Sequence, residues 1–425
     1  MRRQTWLALG IWLLSLLAAL NTGRDLLYNT FYLITAVLAG SWLWAWLNVQ
    51  KVSLTRRVRA RRSQVGKWAE EQFEVVNRSR LPKLWLEIRD HSTLPGHHPS
   101  RVVSSLGGHQ RRSWYIRTFC YRRGRYRLGP LTLRSGDPLG IFEVKRSLPY
   151  TTPFLVYPPV YPVHGFSLAE AQAVGGEAPR YRTHYVTPNV ATVREYVPGD
   201  SFNRIHWRST ARTGRLMVKE FELDPASDIW LVLDVDARWH AALPWEPPSF
   251  VERAATLAGE LPAAFGLIPA TIEYAVAAAA SLASHFLEQR RALGLIAYTG
   301  HREIIQPDRG ERQLNKILEV LAVLEPVEGV PSFDRVLMTE GHFLGRTSVL
   351  VAISPSVDRE WALVLRELRR RGVHSTAIVV AADSFGAPTR HQRILAELWA
   401  NTIPTYVLER GQTIDNALAT LARPT

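Results

Sequence analysis

Two apolar runs near the N-terminus constrain this chain more than any other feature of its sequence. Residues 5–20 and 26–47 contain no charged side chain and are separated by a short polar turn. A helix crosses the bilayer core with about 20 apolar residues, so the sequence predicts a transmembrane helical hairpin over residues 1–50. A cleaved signal peptide is the alternative for the first run, but no small-x-small cleavage site precedes the second.

Basic residues flank this hairpin on both sides. Arg2 and Arg3 precede the first run, and a larger group follows the second: Lys51, Arg56, Arg57, Arg59, Arg61 and Arg62. The positive-inside rule therefore predicts a plasma (inner) membrane protein with two spans and cytoplasmic soluble domains. The formal net charge of +14 indicates an anionic partner. The simplest one is the lipid bilayer, whose headgroups the arginine group is expected to contact.

Residues 51–163 alternate apolar and polar side chains between glycine- and proline-rich turns, which predicts a β-sandwich domain. Within it, residues 111–127 carry seven arginines and five aromatic residues. Such a mixture is typical of nucleic-acid surfaces. The alternative, which we favour, is a pair of strands with aromatic side chains inward and arginines outward. The single cysteine, Cys120, excludes a disulfide framework and a multi-cysteine metal site.

Residues 164–192 show little pattern and are predicted to be a linker. From residue 193 to residue 425 the sequence alternates buried-strand and helix patterns. Apolar runs at 228–236, 293–298 and 347–353 have strand length, and residues 358–371 form an amphipathic helical pattern. This alternation predicts a doubly wound α/β domain, in which functional groups gather at the carboxyl ends of strands.

The basic-aromatic segment, residues 194–222, opens this domain. Its candidate partner- or anion-binding residues are Arg194, Asp200, Arg204, His206, Trp207, Arg208, Arg212 and Lys219. In the structural alternative, Trp207 fills the core and His206 satisfies a backbone carbonyl. Asp200 would then cap a turn, and Arg194 would pair with Glu220 or Glu222. A hydrolase built on Asp200, His206 and Ser209 is a third interpretation, although no nucleophile-elbow sequence surrounds Ser209.

The chain resembles a bacterial family catalogued as domain of unknown function 58. The resemblance rests on residues 122–130, 137–142, 156–158 and above all 193–222. Such proteins look like a von Willebrand factor A domain fused to an immunoglobulin-like domain, and they are commonly encoded beside MoxR-type AAA+ ATPases. The resemblance implies a membrane-anchored adaptor or scaffold, without catalytic activity, that partners such an ATPase and other membrane proteins in assembly or maturation of client proteins.

The same resemblance implies a Mg²⁺ site at the end of the first strand. Asp234, Asp236 and Arg238 occupy the spaced positions there, and Thr299 follows the second strand. Arginine supplies no oxygen for a hard cation, so we expect a degenerate site in which Arg238 pairs with both carboxylates. Bound Mg²⁺, with a metal-dependent hydrolase, is the alternative. No GxxxxGK[ST] sequence occurs, so the chain is not expected to be the ATPase itself.

Overall fold

The computed structural model describes residues 3–166, 190–195, 205–221, 228–247, 267–345 and 348–422. The chain divides into two compact units. The first is built around Met1–Pro159. The second is built around Val160–Trp245, Leu267–Ile317 and Leu324–Thr425. Each unit has its own core.

The first unit begins with two apolar helices, α1 (Arg3–Thr22) and α2 (Asp25–Val49). Gly23 ends α1 with a φ of +64°, a left-handed conformation that glycine adopts without steric cost. The Trp12 indole donates a hydrogen bond to the Thr35 hydroxyl at 2.8 Å and links the two helices. Both are long and apolar enough to span a membrane, which confirms the predicted pair of apolar helices. Their orientation stays a prediction.

Short strands form the rest of the first unit. They are β1 (Val52–Val58), β2 (Arg62–Gln64), β3 (Trp68–Asn77), β4 (Lys83–Asp90), β5 (Arg101–Leu106), β6 (Arg111–Phe119), β7 (Gly124–Leu128), β8 (Leu131–Gly136), β9 (Glu143–Leu148) and β10 (Thr152–Tyr157). Their sheet orders are β1-β3-β6, β2-β10-β7 and β5-β4-β8-β9. Along β3, residues alternate between buried and partly exposed, as the period-two pattern predicts. Phe73 stacks on Trp114 in the core, with ring centroids 5.6 Å apart.

The arginine-rich segment 111–127 supplies β6 and β7. Trp114 and Phe119 point into the core, whereas Tyr115 is exposed. Arg117 pairs with Glu70 at 2.9 Å, and Arg111 lies 3.8 Å from Glu74. The predicted inward aromatic and outward basic arrangement thus holds in part, because Tyr115 is exposed and Arg123 is buried.

In the second unit, β11 (Val190–Glu195) pairs with β12 (Met217–Phe221), and α3 (Trp207–Thr213) lies between them in the chain. A six-stranded sheet follows. It contains β13 (Ile229–Leu233), β14 (Leu293–Tyr298), β15 (Arg302–Asp308), β16 (Val349–Ser354), β17 (His374–Val380) and β18 (Thr405–Leu408). The helices of this unit are α4 (Thr271–Glu288), α5 (Glu311–Val323, shared with the first unit), α6 (Phe333–Gly341), α7 (Glu360–Arg370), α8 (Gln392–Ala400) and α9 (Ile414–Ala419).

The strands of this sheet lie in the order β15-β14-β13-β16-β17-β18. The direction in which the chain adds strands reverses at β13, which makes this strand the switch point. The chain moves from β13 to β14 on one side and later to β16 on the other. All neighbouring pairs are parallel except β14–β15. Every residue of β13 and β16 is buried, as expected for strands with both faces covered. In open α/β sheets, ligands bind at such a switch point.

The coarse fold therefore agrees with the sequence: two apolar helices, then sheet-rich domains. The predicted strand at 293–298 coincides with β14. One difference concerns the predicted linker, since β11 begins at Val190 and not after residue 192. The linker's residues 167–189 lie outside the described part of the chain.

Candidate functional site

The switch point of the six-stranded sheet brings two polar side chains together. Asp234 directly follows β13, and Ser354 is the last residue of β16. The Ser354 hydroxyl donates a hydrogen bond to Asp234 Oδ2 at 2.6 Å, while Oδ1 accepts the backbone N–H of Asp236 at 3.0 Å. Both side chains are buried. Burial raises the pKa of Asp234 to about 7, although the two hydrogen bonds work in the opposite direction.

Asp236 is held differently because an arginine covers it. Arg238 Nε lies 3.0 Å from both carboxylate oxygens of Asp236, and Nη2 lies 2.5 Å from Oδ2. Burial alone would raise the pKa of Asp236, but the hydrogen bonds from Arg238 outweigh burial and lower it. The predicted counter-ion role of Arg238 is thus confirmed for Asp236. It is wrong for Asp234, whose two oxygens are hydrogen-bonded to Ser354 and to the Asp236 backbone.

Sequence reasoning missed four supporting residues, which are His240, Thr271, Ser354 and Ser356. His240 Nε2 lies 3.0 Å from the Asp234 carbonyl oxygen, and its Nδ1 lies 2.8 Å from the Thr271 hydroxyl. The Ser354 hydroxyl also accepts the Ser356 N–H at 2.9 Å, so it orders the loop after β16. The repeated Ser-x-Ser spacing at a strand end was the available signal for Ser354, parallel to the Asp-x-Asp spacing after β13.

These residues do not fit an octahedral Mg²⁺. A hard cation needs several free oxygens in a tight shell, but those of Asp234 and Asp236 face hydrogen-bond donors within the protein. The guanidinium of Arg238 covers the Asp236 carboxylate. Thr299 lies in the turn after β14, where its N–H bonds to the His301 carbonyl at 3.0 Å. Among the described residues, no hydrogen bond joins Thr299 to either aspartate.

This arrangement predicts that Mg²⁺ and EDTA give the protein the same melting temperature. Arg238→Ser is the informative variant, because it removes the guanidinium from the Asp236 carboxylate and leaves only the backbone N–H of residue 238 on Oδ1. If Arg238 is the main obstacle, Mg²⁺ raises the melting temperature of this variant alone, and differential scanning fluorimetry measures the shift. A Mg²⁺-dependent rise in the unaltered protein would contradict the proposed obstruction.

The second candidate region is α3 within the basic-aromatic segment. His206 caps the helix: its Nδ1 lies 2.7 Å from the Ser209 hydroxyl and 3.3 Å from the Ser209 N–H. Gly214 ends the helix with a φ of +68°, as the Thr213–Gly214 turn signal predicts. The helix folds back onto β12, where the Met217 N–H bonds to the Thr210 hydroxyl at 3.0 Å. None of the residues of α3 is buried.

Trp207 decides between the two interpretations of this segment. Its side chain is 66% exposed, and Arg208 and Arg212 are exposed on the same short helix. The structural alternative, in which Trp207 fills the core, is therefore wrong. His206 also departs from that alternative, because its ring contacts Ser209 and not a backbone carbonyl.

The remaining predicted residues of the segment are only partly described. Asp200, with its predicted capping role, lies outside the described residues, as do Arg204 and Glu222. Arg194 lies on β11 opposite Val218, and Lys219 lies on β12 opposite Val193. The side chains of Arg194, Lys219 and Glu220 are outside the description, and with them the predicted pairing of Arg194.

One contact agrees with the hydrolase interpretation, but the geometry of that contact does not. His206 and Ser209 are within hydrogen-bond distance, as a nucleophile and its base must be. However, the same Nδ1 atom faces both the hydroxyl and the backbone N–H of Ser209, which is a helix-capping arrangement. The His206–Ser209 pair is therefore a structural cap of α3.

Comparison with known proteins matches the part of the chain that contains α3 and the two switch-point aspartates. Residues 192–242 match the family model described as "Protein of unknown function DUF58". The uncharacterized protein YeaD of Bacillus subtilis (strain 168) is 31% identical over 115 residues, which are 26% of this chain and 28% of YeaD. The match thus spans less than two thirds of this relative. The family segment includes α3, Asp234, Asp236 and Arg238.

Solved structures give looser likenesses. The conserved hypothetical protein BatB from Bacteroides thetaiotaomicron is 10% identical, with 45% of this chain and 95% of BatB covered and a TM-score of 0.31. The CARDB domain of the PF1109 protein from Pyrococcus furiosus is 16% identical, with 25% and 91% covered and a TM-score of 0.20. At these TM-scores, neither comparison adds to the fold described above.

Proposed function

We propose that the chain is a membrane-anchored cytoplasmic adaptor that binds a MoxR-type AAA+ ATPase. The match of residues 192–242 to the DUF58 family model supports this proposal. The two apolar helices would hold the chain in the plasma membrane, with both soluble units in the cytoplasm. In this proposal the first soluble unit is an immunoglobulin-like domain, and the second is a von Willebrand factor A-like domain whose switch-point aspartates are held by Arg238 and Ser354 and not by a metal.

The exposed Trp207 is the observation that carries this proposal. A large aromatic side chain left in water exposes apolar area whose burial by a partner is favourable. Trp and Arg are the residues most enriched among those that dominate binding energy at protein interfaces. In α3 they are adjacent, because Arg208 follows Trp207 and Arg212 lies one helical turn further on.

The charge of this helix specifies the kind of partner. No acidic residue occurs in α3, whereas Arg208 and Arg212 are both exposed. Such a surface favours an acidic face on the partner, which increases the association rate and selects the binding orientation. We therefore infer that the ATPase presents an apolar pocket with acidic residues at its rim.

The proposal predicts that Trp207→Ala weakens ATPase binding strongly and leaves the protein folded. Removing a central aromatic residue typically costs about 2 kcal/mol or more of binding energy, which is roughly thirtyfold in affinity. The full chain would be purified from detergent-solubilised membranes, and captured AAA+ ATPases would be identified by mass spectrometry. Circular dichroism would check that the variant retains its secondary structure.

Matched variants distinguish specific binding at this surface from non-specific binding. Phe343 is exposed to 74% in the same unit, and Arg335 is an exposed arginine on α6. Phe343→Ala and Arg335→Ala are expected to retain the ATPase, whereas Arg212→Ala weakens its capture. Failure to recover any AAA+ ATPase with the intact chain, or equal recovery with Trp207→Ala and Phe343→Ala, would exclude this adaptor surface.

A further inference from the structure

The C-terminal end of α2 is built into the first soluble unit. Ala45, Asn48 and Val49 are buried, and Val49 joins the apolar cluster of Val52 and Phe73. The ammonium group of Lys83, at the start of β4, donates a hydrogen bond to the Leu47 carbonyl at 2.5 Å. This carbonyl lies in the last turn of the helix, where it also accepts the backbone N–H of the C-cap residue Gln50 at 3.3 Å. The helix therefore continues into the soluble unit without a flexible joint.

The loop at residues 137–142 holds both helices at this end. The Asn48 amide of α2 donates to the Gly136 carbonyl at 3.1 Å, and the Thr5 hydroxyl of α1 donates to the Ile141 carbonyl at 2.5 Å. Buried Asp137 shapes the loop by accepting the N–H groups of Leu139 at 2.9 Å and Phe142 at 2.6 Å. The position of this loop relative to the helices is thus fixed from both sides.

Helix length indicates the level at which the loop meets the membrane. The 25 residues of α2 span about 37 Å at 1.5 Å per residue, whereas the hydrocarbon core is about 30 Å thick. The last turn, buried in the soluble unit, accounts for the excess. Trp6, Trp42, Trp44 and Trp46 are exposed at this end, the placement typical of an interfacial aromatic belt.

Leu139 lies at the tip of the loop, at the same level. It is 62% exposed. A Cβ on its neighbour Gly140 would lie 3.7 Å from Gln4 Oε1, within one turn of Trp6 on α1. The leucine has no role in the core, and its position next to the helix start places it at the headgroup level.

Two other loops present basic residues at the same end of the unit. The Arg78 N–H bonds to the Lys51 carbonyl at 2.8 Å, directly after α2, and the His109 N–H bonds to the Ser79 carbonyl at 3.1 Å. Lys51, Arg78 and Arg80 are exposed there, together with Leu81.

The arginines that follow α2 in sequence lie elsewhere, which corrects the expectation that they contact headgroups. Strand β1 carries the chain away from the helix end, and its seven residues extend for about 20 Å. The Arg56 side chain is only 8% exposed, and Arg59, beyond the strand, pairs with Glu70 at 2.6 Å. The basic residues at the helix end come from the loop after β3 and from Lys51.

We propose that Lys51, Arg78, Arg80, Leu81 and Leu139 form a lipid-contact face that seats the first soluble unit on an anionic membrane surface. This inference rests on the membrane anchoring in the proposed function. Leu139 and Leu81 enter the acyl boundary, while the three cations bind phosphate groups of phospholipids. Each such cation contributes about 1 kcal/mol near an anionic surface, or about fivefold in local lipid enrichment.

Fluorescence quenching by brominated lipids tests the apolar part of this face. The full chain, reconstituted in phosphatidylcholine–phosphatidylglycerol vesicles, would carry a fluorophore at Leu139→Cys, Tyr150→Cys or Leu33→Cys in separate preparations. Cys120 is only 1% exposed and does not compete for the label. Tyr150 is 86% exposed after β9, at the opposite end of the unit, and Leu33 is an exposed residue in the middle of α2.

Quenching at Leu139 and Leu33, with none at Tyr150, is the expected result. If Leu33 is quenched and Leu139 is not, the lipid-contact face is wrong and the membrane anchor stands. If neither is quenched, the membrane anchor fails and the face fails with it. Equal quenching at Leu139 and Tyr150 would overturn the proposed orientation of the unit.

A second measurement tests the basic part of the face. Energy transfer from the protein to labelled phosphatidylglycerol reports how strongly this lipid is enriched. Arg78→Gln combined with Arg80→Gln is expected to reduce the enrichment by as much as about 25-fold, from about 1 kcal/mol per cation. Arg125→Gln combined with Arg127→Gln removes the same charge from β7 and should change it little. Equal effects of the two double variants would overturn the assignment of the cations.

Discussion

Arg56→Ala is expected to lower the free energy of unfolding of the first soluble unit by about 3–5 kcal/mol, because it leaves buried carboxylates without a counter-ion. Arg56 Nε lies 2.5 Å from Glu71 Oε2, and its Nη2 also bonds to Asp90. Both carboxylate side chains are 1% exposed. Hydrogen exchange of the β1 and β3 amides in the full chain, in detergent micelles, measures the loss locally.

Arg59→Ala is the matched control, since Arg59 also pairs with a glutamate of β3. Its partner is Glu70, at 2.6 Å, but the Arg59 side chain is 80% exposed. Exposed ion pairs contribute at most about 1 kcal/mol, so the control should change protection only slightly. Equal losses of amide protection in the two variants would contradict this explanation. They would show that burial of Arg56, Glu71 and Asp90 does not determine how much their ion pairs contribute to the free energy of unfolding.

The same cluster predicts acid sensitivity. Burial would raise the pKa of Asp90, but hydrogen bonds from His97 and Ser92 and the charge of Arg56 outweigh it and lower the pKa to about 2. Because the folded pKa lies below the ordinary value, the stabilisation is present above about pH 4 and is lost as the pH falls towards 2. His97 completes the group, with its Nδ1 2.7 Å from the Thr118 hydroxyl.

Sequence patterns predicted the elements whose side chains follow a simple period or length. The two apolar helices and the buried strand β14 needed only a count of consecutive apolar residues. The role of Arg56 could not be predicted in this way. It stands in a run of basic residues, which indicates an exposed or headgroup-facing surface, and only strand pairing brings β1 beside Glu71. Asp90 comes from a different sheet, so no local pattern shows the contact.

Residue spacing likewise predicted only half of the switch-point site. Asp236 and Arg238 are two residues apart, so their ion pair was expected from the chain itself. Ser354 is 120 positions from Asp234 and reaches it because β16 is the parallel neighbour of β13. For Trp207 the local pattern predicted the wrong environment. An aromatic residue in a polar segment usually packs inward, but the seven-residue helix α3 buries none of its residues.

Asp234→Asn is expected to stabilise the second unit at neutral and alkaline pH, by up to about 4 kcal/mol from a pKa raised by about three units. The raised pKa of about 7 means that ionising Asp234 in the folded protein opposes folding. Asparagine stays neutral. Its carbonyl can accept the Asp236 N–H, and its amide can donate to the Ser354 hydroxyl. Hydrogen exchange of the β13 and β16 amides, measured at several pH values, reports the gain.

The pH dependence distinguishes this explanation from better packing. Below about pH 4 the carboxyl is protonated in both the folded and the unfolded protein, so the variant should gain nothing from its neutrality. The gain should grow as the pH rises towards 7 and level off above it, whereas improved packing would give a gain at every pH. Asp236→Asn should have the opposite sign, because its folded pKa is lowered and the substitution removes the ion pair with Arg238. Stabilisation by both variants would mean that the two aspartates repel each other, and that Arg238 does not neutralise Asp236 effectively.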